Sequence, residues 1–251
     1  MRLKPIHLLA MTLLISVALI AMSARAQTPA PAQLYDVSGM ATHQKHFQDA
    51  LSAAQQRYAQ QLPANLHATL VRQSNLRFNP VAMQDRARSR LAVSLPNVAH
   101  IKAMDFYRSP LGRKVVTLET RATASNSVKE MQRGIPQQQV DPQRYTLVRQ
   151  LSNSLPALEV GVEVSMALAG LATESANELL GGLFQVPVDL VSTRRQDIRS
   201  QMAPDLPDTL AYVYRDLSDT ELQQYLNWSQ SEAGQATFQA MELAAKDALN
   251  P

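Results

Sequence analysis

A capping residue followed at once by proline recurs along this chain, and it cuts the sequence into helix-length pieces. Asn79-Pro80, Ser109-Pro110 and Asp141-Pro142 each place a side-chain acceptor where a helix leaves backbone N–H groups unpaired. Proline then falls at the first helical position, where its missing N–H costs nothing. Ser218-Asp219-Thr220-Glu221 adds a capping box, with Glu221 placed to reach back to the cap. These signals predict helices over residues 41–62 and 80–94, from Leu95-Pro96 to Arg108, and onward from Ser109. A long apolar helix is predicted over 156–180, closed by Gly181-Gly182, and further helices open at Pro187, Pro204 and Ser218. No clear period-two stretch competes; Leu210-Ala-Tyr-Val-Tyr214 comes nearest and suits a helix equally well. The expected class is all-α.

The first 26 residues read as an export signal. Arg2 and Lys4 open it, residues 8–22 are uncharged and mostly apolar, and Ala24 and Ala26 supply the small residues before a cut. Cleavage after Ala26 is expected, leaving the mature chain in the periplasm. The apolar run is shorter than the roughly 20 residues a spanning helix needs. Removing Arg2, Lys4 and Arg25 leaves 21 basic against 21 acidic residues, so the formal charge of +3 belongs to the leader. With zero cysteines, disulfide scaffolds, thiolate metal sites and cysteine nucleophiles are excluded.

Within this neutral chain the charges are segregated. Residues 27–40, rich in Pro, Ala and Gln, are read as a flexible tether. Gly134, Pro136 and Pro142 mark residues 134–143 as a linker between two helical domains, 41–133 and 144–251. The first domain carries 14 Lys+Arg and five acids; the second carries seven and 14. Such asymmetry bears on partners and association.

The two halves also share a pattern at an offset of 122. Phe106, Ser109 and Gly112 align with Trp228, Ser231 and Gly234, while Tyr107 and Pro110 align with Ser229 and Glu232. Leu111, Val115, Leu118 and Ala122 lie over Ala233, Thr237, Ala240 and Ala244, a helical stripe in both. The unit reads as a corner: an aromatic ends one helix, Ser caps the next, and Gly admits a closely approaching helix. Residues 106–114, Phe-Tyr-Arg-Ser-Pro-Leu-Gly-Arg-Lys, resemble the hallmark of the bacterial domain-of-unknown-function family numbered 2059. The resemblance is close over 91–122 and divergent over 213–244, which suggests two tandem copies. It implies an exported helical protein without known catalysis, and a role like that of family members that act as immunity proteins.

No motif for catalysis or for a cofactor stands out. His43 and His46 are spaced to share a helical face, but no Glu follows as in a zinc-protease helix, and only Asp49 is near. Gly-x-Ser-x-Gly, Ser-x-x-Lys and phosphate-binding glycine loops are missing from the sequence. Arg72, Arg77, Arg86, Arg88 and Arg90 form a basic cluster without the interleaved aromatics of a nucleic-acid platform. Glu159, Glu163, Glu174 and Glu178 fall on one stripe of the long apolar helix. Like charges at that spacing call for a compensating partner, so these four are the expected partner-binding residues. Gly161, Ser165 and Ala169 form a small-residue stripe suited to a helix–helix contact, and a homodimer is expected. The expected function is a non-enzymatic periplasmic protein-binding protein, most simply an immunity protein that neutralises a secreted antibacterial effector. The alternative is a general envelope chaperone or assembly factor.

Overall fold

The structure is a computed structural model. It describes residues 31–136, 138, 140–179 and 188–250, with Pro31 and residues 188–192 described by backbone alone. The expected signal peptide and its cleavage point lie outside the described residues.

Each cap-and-proline signal opens a helix. In chain order the helices are α1 Pro31–Val37, α2 Met40–Tyr58, α3 Ala64–Arg77, α4 Pro80–Ser94 and α5 Asn97–Arg108. Next come α6 Pro110–Thr123, α7 Ser125–Gln132, α8 Pro142–Ser154, α9 Ala157–Leu179 and α10 Val188–Met202. A 3₁₀ turn at Ala203–Asp205 leads to α11 Leu206–Val213, α12 Asp219–Gln230 and α13 Glu232–Leu249. Among the described residues there is no strand, and the fold is all-α. No single described helix is long and apolar enough to cross a membrane.

The caps act as their chemistry requires. Asn79 accepts from the Ala82 N–H at 3.0 Å, and Asp141 accepts from the N–H groups of Gln143 and Arg144 at 2.9 Å each. Ser218 and Glu221 form the reciprocal box, at 3.2 and 2.7 Å. Removing the hydroxyl at either corner, Ser109→Ala or Ser231→Ala, is expected to cost about 1 kcal/mol in chemical denaturation. A loss below about 0.3 kcal/mol at both would contradict the capping role.

Residues 31–37 correct the tether expectation. They form α1, and Leu34 and Tyr35 are fully buried against α4 and α5. Polar ties add to that burial: Arg88 pairs with Asp36, Arg108 donates to Gln33, and the Tyr35 hydroxyl donates to Gln44. The chain then reverses at Gly39, whose φ of 84° is a conformation other residues rarely take.

The linker does not separate two independently packed domains. The buried side chains of both halves form one cluster, from Leu34 and Leu91 through Leu151 to Leu226 and Ala244. The last helix, α13, lies along α4 and also touches α5, both from the first half. Reciprocally, α6 of the first half touches α11 and α12 of the second. What recurs is narrower than a domain. Shifting α5 by 122 residues gives the bounds of α12, and the start of α6 falls on the start of α13. The duplicated element is thus a helix–corner–helix, and each copy sends its second helix across to the other half.

The copies meet through equivalent residues. The ring of Phe106 stacks on Trp228 with centroids 3.8 Å apart and planes 10° from parallel. Tyr107 and Phe238 meet the Trp228 ring edge-on, and Tyr225 extends the stack. Aromatic contacts of this kind add to the burial of the rings themselves.

Candidate functional site

The corner is built alike in both copies. Ser109 Oγ accepts from the Gly112 N–H at 3.0 Å, and Ser231 Oγ from the Gly234 N–H at 3.1 Å. The reason for glycine differs from the sequence expectation. A Cβ on Gly112 would stand 2.0 Å from the carbonyl oxygen of Phe106, and one on Gly234 2.1 Å from that of Trp228. The close neighbour is the last turn of the preceding helix, because the cap folds the new helix tightly back over it. Phe106, Tyr107, Ser109, Pro110, Gly112, Trp228, Ser231 and Gly234 thus form one scaffold where the two halves meet, with Phe106 and Trp228 half-buried against the core and Pro110 exposed.

The four glutamates of α9 are not an open acidic surface. Glu178 pairs with Arg72 and accepts from Gln73, and Glu174 pairs with Arg77 at 2.5 Å. These contacts tie α9 to α3. Glu163 receives both terminal nitrogens of Arg195, at 2.5 and 3.2 Å, and Glu159 pairs with Arg199 at 2.5 Å. These tie α9 to α10. Glu163 is 3% exposed and also accepts from the Asn250 amide at 3.3 Å. The cations that the like-charged stripe called for come from the chain itself.

The basic cluster is engaged in the same way. Arg86 donates to the carbonyls of Asp247 and Ala248 at the end of α13, where a helix favours a cation. Arg90 pairs with Asp247, and Arg88 with Asp36 of α1. Lys114–Glu221 and Arg121–Asp216 also cross between the halves. The segregation of charge seen in the sequence is thus an internal complementarity, holding the halves in register. Each exposed pair adds little by itself.

The small-residue stripe of α9 is covered at one end. A Cβ on Gly161 would lie 2.5 Å from the Met202 methyl, so this notch faces the end of α10. His43 and His46 both hydrogen-bond the Thr123 hydroxyl, at 2.9 Å each, and so tie α2 to the end of α6. Burial and the neighbouring His46 hold His43 down at about 4. No group of three or more metal-ligating side chains occurs among the described residues.

One buried-type cluster had no signal in the sequence. Glu119 of α6 accepts from the hydroxyls of Tyr214 and Tyr225, at 2.6 and 2.9 Å, at the junction of the halves. Enclosure there raises its carboxyl above the ordinary range, against the opposing pull of the two phenols. A carboxyl raised by folding contributes stability below its unfolded value and loses it as the pH climbs through the folded one. The melting temperature of Glu119→Gln relative to wild type is therefore expected to rise from pH 4 to pH 8. A difference that stays flat or falls over that range would contradict this placement.

No family model, no curated protein and no solved structure matches the chain.

Proposed function

We propose that this chain is an exported, non-enzymatic protein-binding protein of the immunity type, which neutralises an antibacterial effector by contact. One observation supports it most: the carboxylate face of α9 already receives a cationic helix. Arg195 and Arg199, one turn apart on α10, sit on Glu163 and Glu159, also one turn apart on α9. A partner presenting cations at the same spacing meets the same complementarity, which gives specificity and steers encounter. The motif resemblance over residues 106–114 supports the same reading.

The test is growth under attack. A strain lacking the gene is expected to lose viability only beside a rival delivering the cognate effector, or when the neighbouring toxin gene is expressed. Unchanged survival in both settings removes the immunity reading. Export predicts that the purified periplasmic protein begins at Gln27 by mass spectrometry.

The chaperone reading has its own observation. Val93, Val98 and Ile101 flank the turn between α4 and α5, and are 78%, 67% and 43% exposed. Exposed apolar side chains grouped together mark contact surfaces. Suppression of aggregation for many unrelated unfolded clients, lost in Val98→Asp/Ile101→Asp, would favour it over immunity.

A further inference from the structure

The duplicated corner provides an internal comparison for each position its copies share. A shift of 122 residues places Glu119 of α6 over Met241 of α13, and Ala103 of α5 over Tyr225 of α12. Met241 and Ala103 are both buried, at 9% and 0% exposure. The repeated unit therefore accepts apolar side chains at both places. Where α6 meets the second half it carries polar ones instead. Glu119 Oε1 accepts from the Tyr225 hydroxyl at 2.9 Å and from the hydroxyl of Tyr214, just past α11, at 2.6 Å. Met241, the counterpart of Glu119, meets the Tyr107 hydroxyl through its sulfur at 3.7 Å. The packing of the corner does not ask for a carboxyl at position 119, and enclosing one is costly without compensation.

The groups around Glu119 supply hydrogen bonds but no countercharge. Tyr225 of α12, Tyr214 and Tyr107 of α5 are all buried. Burial, with Glu119 beside them, holds the three phenols well above their ordinary range, so they remain donors. The cations of α6 face other acids: Lys114 pairs with Glu221 and Arg121 with Asp216. Arg144 of α8 donates to the Tyr214 and Leu217 carbonyls and pairs with Asp219, while Arg215 donates to the Tyr212 carbonyl. From α2, His43 and His46 are engaged by Thr123, one turn further along α6. Lys129 and Glu130 of α7 are exposed. Among the described residues no cation pairs with Glu119, so closure of the junction favours its neutral form.

We propose that Glu119, Tyr214 and Tyr225 form a proton-operated latch between the halves: the neutral carboxyl keeps α6 seated on the second half, and loss of its proton to solvent loosens that seat. The carboxylate regains its hydration only as α6 moves away from the buried phenols. This goes beyond the protein-binding reading and holds whatever the partner is. Trp228 lies against Phe106 and beside Tyr225, so loosening there exposes its ring.

The test follows Trp228 emission and its quenching by acrylamide on the full chain from pH 5 to pH 9, above the His43 value of about 4. The wild type is expected to pass through one reversible transition to redder, more quenched emission. Its midpoint should lie above the ordinary carboxylate range, with helical circular dichroism unchanged. Tyr214→Phe removes a bond that favours the charged form, and should raise the midpoint by about one pH unit. Glu119→Gln, and Glu119→Met with the side chain of the other copy, are expected to abolish the transition. Burial also raises Glu242 of α13, beside Glu159 and Glu163, and Glu242→Gln is expected to leave the midpoint in place. Flat wild-type emission overturns the proposal, as does a transition that survives in a folded Glu119 variant or disappears in Glu242→Gln. A midpoint that stays or falls in Tyr214→Phe overturns it as well, and that variant decides the matter if the Glu119 variants do not fold.

Discussion

Gly112→Ala and Gly234→Ala are each expected to destabilise the protein by about 3 kcal/mol, as overpacking does where the obstacle cannot move. The added methyl would fall 2.0 or 2.1 Å from a backbone carbonyl oxygen. That carbonyl belongs to the last turn of the preceding helix, and the Ser109 and Ser231 caps hold the corner shut around it. Relief requires opening the corner, which would also move Phe106 or Trp228 out of the central stack. Gly161→Ala provides the contrast. Its methyl meets only the free end of Met202, a flexible thioether that can swing aside. It should cost less than about 1 kcal/mol. Urea denaturation of the three variants checks this, and equal losses at all three would show that the corner carbonyls are not the obstacle.

The second large effect lies in the stack itself. Phe106→Ala and Trp228→Ala are each expected to cost about 3 kcal/mol, mostly from lost burial and the space left behind. The rings touch each other directly, so the double variant should cost about 1 kcal/mol less than the two singles added. The coupling matters more than either loss. Phe106 lies near the end of α5 in the first half and Trp228 near the end of α12 in the second. A cycle that closes to zero would mean that the two copies do not meet as described.

Much of this architecture was legible in the sequence, and the reason is local. Asn79, Ser109, Asp141 and Ser218 announce their helices because a cap and the turn it serves lie within four residues. The offset between Ser109 and Ser231 was likewise readable, since both copies spend the same residues on the same corner. What a face packs against is not local. The apolar stripes showed which side of a helix is buried but not that α13 would cover α4. The charge difference between the halves showed complementarity, but a sign says nothing of whether its partner is inside or outside the chain. Glu174 and Glu178 therefore look in the sequence like a surface for another protein, while Arg77 and Arg72 on α3 already hold them. The pairing with α10 had a readable signal, in arginines spaced as the glutamates are. The burial of Leu34 and Tyr35 had none, because their Pro/Ala/Gln-rich surroundings carry no helical periodicity.

Two copies of one corner close a single core shared by both halves. Trp228 is the chain's single tryptophan and sits at the junction, so its fluorescence reports directly on that closure. The decisive measurement follows urea unfolding of Leu91→Ala by Trp228 fluorescence and by helical circular dichroism together. Leu91 lies fully buried in α4, in the other half. A shared core predicts one transition by both probes, with the midpoint of each lowered alike by a loss of about 3 kcal/mol. Two transitions, with the Trp228 midpoint left where it stands in the wild type, would show that the halves fold apart.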